Sequence, residues 1–134
     1  MAAESEVQKS LADALTAQGL RVYDTAPQAA DGGNSADFPY VEVGATEFAE
    51  FDTTTETGFD FVARIHTRSR SAGMKECKDI QGAIYSALHL VNIPVSGFST
   101  VLLRRETSGA TRASDGSIHG ICEYRGLIEK NAIL

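Results

Sequence analysis

The sequence predicts an α+β fold: a mostly antiparallel sheet of about five strands packed by two helices, in the order α-β-β-β-α-β-β. Three observations carry this expectation. Phe59, Phe61, Ala63 and Ile65 alternate with Asp60, Arg64, His66 and Arg68, the period of two of a half-buried strand. After the break at residues 69–73 the period changes: Cys77, Ile80, Ile84, Leu88 and Val91 recur three or four apart, with Ala83 and Ala87 beside them, giving one apolar helical face. The remaining apolar runs are short and separated by Gly, Pro, Asn and Asp clusters, with no repeat and no linker. A chain of 134 residues then supports one domain, residues 1–134, around one core.

In chain order, residues 4–18 predict the first helix. Val7, Leu11, Ala14 and Leu15 form its stripe, Glu4 and Glu6 sit at its positive end, and Gly19 is placed to stop it. A short strand over 20–23 follows. Residues 24–37, with Pro27 and the Gly32–Gly33 pair, read as a loop. Phe38–Pro39 launches a strand over 40–45. Residues 46–57 are acidic and threonine-rich yet carry Phe48 and Phe51, which suits either strand extension or a flexible hairpin arm. The third strand spans 58–67 and the second helix about 73–90, broken by Asn92–Ile93–Pro94. Strands over 98–106 and 117–130 close the chain, joined by a Gly/Ser/Thr/Asp-rich turn at 108–116.

Composition limits the function classes. The apolar fraction of 43% and charged fraction of 22% are those of a globular protein. A net charge of −6 argues against a general nucleic-acid binder, which needs a basic footprint. Charge is unevenly spread: residues 21–57 hold eight acids against Arg21 alone, while residues 58–134 hold ten bases against seven acids. Such asymmetry suits self-association or a charge-matched partner, or simply acid-solvated loops. Cys77 and Cys122, on predicted buried faces and without a secretory leader, read as reduced thiols of a cytoplasmic product. No apolar stretch approaches the roughly 18–20 residues of a membrane span.

Motifs for chemistry are missing from the expected positions. His119 and Cys122, three apart on a strand, fall on opposite faces, and His66 lies eleven residues from Cys77 across a strand–helix junction, so neither pair suggests a metal site. Residues 97–101 start like a nucleophile elbow but lack the second glycine and enter a strand. Gly32–Gly33 leads to no helix or lysine that would cradle phosphate. Asp52, Glu56 and Asp60 lack an apolar wall to raise a carboxyl pKa. Neither a catalytic set nor a cofactor site is expected. Arginines stand out instead. Arg64, Arg68 and Arg70 follow the outward face and end of the central strand, and Arg104, Arg105 and Arg112 flank the last hairpin. The acidic stretch with Glu47, Glu50 and Asp52 is their counterpart, within one chain or between copies. Phe48 and Phe51 pack either on their own core or on a neighbour.

The series Val22–Tyr23–Asp24, Pro27, Phe38–Pro39–Tyr40–Val41, Gly44, an Asp/Thr-rich arm ending at Gly58, and a strand–Gly73–helix unit resembles the tail-completion family of long-tailed phages. The ending Asp115–Gly116, His119–Gly120, Glu123–Tyr124–Arg125 fits as well. The likeness is to the tail terminators of lambda-like phages and gene-transfer agents. It implies a structural virion protein at the head-proximal end of the tail, assembled in the host cytoplasm. Such a protein forms a six-fold ring that caps the tail tube, stops its polymerisation and joins the tail to the head. Implied partners are further copies, the major tail tube protein, a head–tail connector or stopper protein and the tape measure protein, with DNA passing through the lumen unread. The arm 46–57 would then order against a neighbour, and the loop 26–37 and the tip 108–116 would face axial partners. An acidic protein suits a conduit for a polyanion. The competing expectations are a connector or stopper subunit, or a small bacterial enzyme or ligand-binding domain, which would be a monomer or dimer with an enclosed pocket.

Overall fold

The computed structural model describes residues 3–23, 38–52, 57–100 and 103–130. Val7, Leu11 and Leu15, four apart, place one stripe of α1 (Ala3–Thr16) almost wholly out of water. Gly19, at φ 84°, takes the left-handed conformation that ends the helix, and its N–H donates to the Thr16 carbonyl. The strand β1 (Val22–Tyr23) then pairs parallel with β2 (Tyr40–Asp52).

β2 does not stop at Ala45. It runs to Asp52 and pairs antiparallel with β3 (Thr57–Ser69) down to Asp52↔Thr57, so residues 46–52 are strand extension. The phase slips between Val43 and Thr46, where two β2 residues oppose one on β3. β3 continues two residues beyond the expected end, and its other edge pairs antiparallel with β6 (Ile118–Lys130) from Ser69↔Ile118 to Gly58↔Glu129.

The strand expected over 98–106 is two strands. β4 (Phe98–Thr100) pairs with the end of β6, and β5 (Arg104–Arg112) pairs with its beginning. The sheet order is β1-β2-β3-β6-β4, with β5 also on β6, so six strands form among the described residues where about five were expected. β5 uses up most of the expected 108–116 turn, leaving a tight turn in which Asp115 accepts from the Ser117 amide and hydroxyl. Gly116, at φ 90°, completes that turn. No β5 residue is buried, because the strand lies at the sheet edge. Helix α2 (Lys75–Leu88) and the two residues after it supply partners to the backbone of β5 and of Leu103 just before it. Gln81 donates to the Gly109 carbonyl, His89 Nδ1 accepts from the Arg105 amide, and the Leu90 amide donates to the Leu103 carbonyl. That is how this edge is covered. α2 ends at Leu88, where His89 turns extended at φ −71° and ψ 115°, before Asn92–Ile93–Pro94 is reached, and Leu90 beyond it adopts φ 56°.

Both helices lie on one face of the sheet, as expected. Leu11, Leu15, Ile84 and Leu88 meet Val41, Val43, Phe61, Ile65, Tyr124 and Ile128 in one cluster. Each large side chain removed from water there contributes about 1.5–3 kcal/mol. Phe61 lies across Gly126, where a Cβ would stand only 3.0 Å from its ring. Towards the β2–β3 tip the core thins into aromatic contacts: Phe48 stacks on Phe61 at 5.3 Å, and Phe59 sits edge-on to Phe48 and Phe98. Phe48 therefore packs on its own subunit.

Candidate functional site

The helices cover one sheet face and leave the other open. Strand parity places Glu42 and Glu47 of β2, Asp60, Arg64, His66 and Arg68 of β3, and His119, Ile121, Glu123, Arg125 and Leu127 of β6 on that open side. Ile121 and Leu127 are 38% and 41% exposed there. Arg64 ties three strands, its Nε donating to Glu123 at 2.9 Å and its Nη1 to Glu47 at 3.2 Å. Arg125 grips Asp60 with both nitrogens of its fork, at 3.0 and 2.6 Å. The hydrogen bonds from Arg125 hold the Asp60 carboxyl below the usual carboxylate range. Solvated pairs of this kind set register more than they add stability.

Further along the same face His66 Nδ1 and His119 Nε2 lie 3.0 Å apart, with the rings stacked at 5.2 Å. One nitrogen donates and the other accepts, so the accepting ring must be uncharged and the two rings cannot both be protonated while the bond is kept. Burial holds both pKa values below the ordinary imidazole range, with Arg68 acting in the same direction on each. Gly44 provides the seat: a Cβ there would fall 2.5 Å from His66 Cδ2 and Nε2. Next to the pair, Arg68 is half-buried and its Nε–H has no acceptor among the described residues. Tyr23, Phe38 and Tyr40 make a small aromatic cluster beside it, with Arg70 stacked over Phe38 at 4.0 Å.

The expected interface residues thus divide. Arg64 and Glu47 are paired within the chain. Arg104 and Arg112 begin and end β5, where Arg112 donates to the Ala72 and Gly116 carbonyls. Arg105 lies over Tyr85 at 4.4 Å, and Tyr85 stacks on His89. Glu50 is exposed near the β2–β3 tip. Phe51 and Asp52 end β2, and their side chains, like the loop 26–37 and residues 53–56, fall outside the described set. Sequence reasoning missed the His66–His119 pair and the Arg125–Asp60 fork, since each joins residues more than fifty apart. Only the β3–β6 register brings them together.

Among the described residues no group of three or more His, Cys, Asp or Glu side chains is placed to hold a metal ion. Cys77 and Cys122 are buried free thiols between α2 and the sheet, and burial pushes both thiols up. No helix among these residues is long and apolar enough to cross a membrane. What this surface offers is a two-sided sheet with one face charged, ordered and uncovered by the chain's described parts. That arrangement suits recognition by another protein better than bond-making.

Comparison with known proteins agrees in kind. A chain from the structure titled "Virion of native gene transfer agent (GTA) particle" shares the fold with a TM-score of 0.79 and 22% identity, over 96% of this chain and 98% of that one. No curated protein matches the sequence significantly. Residues 2–129 match the family described as Tail completion protein gp17. The chain therefore belongs to the tail completion protein gp17 family and is a structural protein of tail assembly.

Proposed function

We propose that this protein is a tail terminator: copies close into a six-fold ring that caps the tail tube, halts its growth and presents a docking surface to the head. The observation that carries the reading is the family match over residues 2–129, nearly the whole chain. The uncovered charged sheet face and the net charge of −6, which lets a polyanion pass without adhering, support it. The partners in this reading are further copies, the major tail tube protein, a head–tail connector or stopper protein and the tape measure protein. The protein resides at the head-proximal end of the virion tail after assembly in the host cytoplasm. Glu47, Phe48, Glu50, Phe51, Asp52, Arg64, Arg68, Arg70, Arg104, Arg105 and Arg112 are the residues from which its contacts are drawn. The in-chain pairing of Glu47 and Arg64 and the core packing of Phe48 move the weight onto the others.

Light scattering across a concentration series, with and without purified tail tubes, tests the proposal. A mass of six subunits, free or on tubes, is the expected result. A monomer under every condition would overturn it.

A further inference from the structure

The root of the β2–β3 hairpin is pinned from the open face by one side chain. Between Val43 and Thr46, Gly44 and Ala45 of β2 stand against Arg64 alone on β3. The His66 ring fills the place a side chain at Gly44 would take, since a Cβ there would fall 2.5 Å from Cδ2 and Nε2. His119 of β6 holds the ring in that place, Nε2 to Nδ1 at 3.0 Å. One hydrogen bond thus ties the bulge on β2, through β3, to β6. Beyond the bulge, β2 pairs only with β3 among the described residues, because β1 stops at its partners Val41 and Glu42. Arg64 reaches across the bulge to Glu47, and Phe48 stacks on Phe61.

The His66–His119 bond responds to protons in two stages. A first added proton leaves a charged donor facing a neutral acceptor, and the bond survives. A second removes the acceptor and sets two imidazolium N–H groups against each other. The neighbours decide whether that repulsion is relieved. From β2, Glu42 stands opposite His66 and favours the charged form of both rings, while Tyr40 stands opposite Arg68. From β3, Arg68 and Arg64 oppose charge on His66, and Arg68 opposes it on His119. On β6, Ile121 lies opposite His66, and Glu123 is held by Arg64. From β5, Thr111 lies opposite His119, and Arg112 beside it donates to the Ala72 and Gly116 carbonyls. β1 contributes Tyr23, the register partner of Glu42. One carboxylate therefore faces two guanidiniums and a second imidazolium, so a doubly charged pair is driven apart.

We infer that the His66–His119 pair is a proton-operated latch, which holds the Gly44–Ala45 bulge until both rings are charged and then releases the bulge and the hairpin beyond it. With the Gly44 backbone in contact on one side, the freed His66 ring turns out towards solvent and the bulge loses its filling. Burial and Arg68 hold both imidazoles below their ordinary range, so the latch is closed at neutral pH and opens as the pH falls below about 6.5. This goes beyond the ring reading and does not depend on it.

Amide hydrogen exchange and imidazole resonances of the full chain, followed by NMR from about pH 7 to about pH 4.5, test the latch. Protection at residues 43–48, taken relative to the unfolded-chain rate, should fall roughly tenfold or more as the second imidazole titrates, while Ile84 and Leu88 hold theirs. The His119→Gln variant keeps a side chain that can bond to His66 but carries no charge, so its protection should stay level over the same range. Arg68→Gln removes an opposing cation and should move the release to higher pH. Both variants are checked by thermal melting at neutral pH. Protection at 43–48 that ignores the imidazole titration overturns the latch, and so does an equal fall in His119→Gln or an unmoved release in Arg68→Gln. Loss at Ile84 and Leu88 in step with 43–48 also overturns it, since the whole fold would then be opening. The wild-type titration decides the matter even where a variant fails to fold, and no outcome bears on the ring.

Discussion

Replacing Gly44 by alanine measures how tightly the open face is built. The new Cβ would fall 2.5 Å from His66 Cδ2 and Nε2, against about 3.5–4.0 Å for relaxed carbon contact. The ring must therefore retreat by roughly 1 Å, and it is already fixed by its 3.0 Å bond to His119. Forced packing of this kind costs about 1–3 kcal/mol. Losing the imidazole pair adds about 0.5–1.5 kcal/mol. The stiffer unfolded chain of alanine returns about 0.4–1 kcal/mol. The balance is a loss of about 2 kcal/mol, several degrees in Tm for a chain of this size. Urea denaturation of wild type, Gly44→Ala, His66→Ala and the double variant checks it as a double-mutant cycle. The glycine substitution should cost little once His66 is removed. Equal cost in both backgrounds, or a Gly44→Ala protein as stable as wild type, would refute the reasoning.

Other perturbations have equally definite outcomes. Phe61→Ala should cost about 3–5 kcal/mol in urea denaturation, because the ring is buried between Phe48 and Gly126. The lowered pKa values of His66 and His119 mean that the unfolded chain binds protons more readily than the fold. Stability should therefore be level above about pH 6.5 and fall as the pH drops below it. Melting curves of wild type and His66→Ala between pH 7 and 5 check this, and the slope should flatten in the variant. Cys77 and Cys122 should react with a thiol reagent only on denaturation, since both are buried with raised pKa values. Labelling of the native protein at the denatured rate would contradict that.

What the sequence disclosed and what it hid have physical causes. The alternation through Phe59–Ile65 and the three-to-four spacing through Cys77–Leu88 report burial on one side of a regular element, and both elements formed as read. The alternation that marks β2 in the sequence stops early because its bulge changes phase. Val41 and Val43 face the helices before it, whereas Thr46 and Phe48 do so after it, and no single period spans both. Beyond the helices the sheet has little to bury, so Glu50 shares a face with Phe48 and hides the strand pattern. β5 escaped for the same reason, since an edge strand with no buried residue resembles a loop in composition. The arginines were legible as a class, but their partners were not. Whether Arg64 finds Glu47, Arg125 finds Asp60, or Arg68 Nε finds no acceptor among the described residues depends on register, which local spacing does not encode.

Imaging the purified protein mixed with tail tubes by negative-stain electron microscopy tests the central claim most directly. The account predicts a six-fold ring seated on one end of each tube, with no further tube growth from the capped end. Bare tube ends that continue to elongate in the presence of excess protein would contradict it.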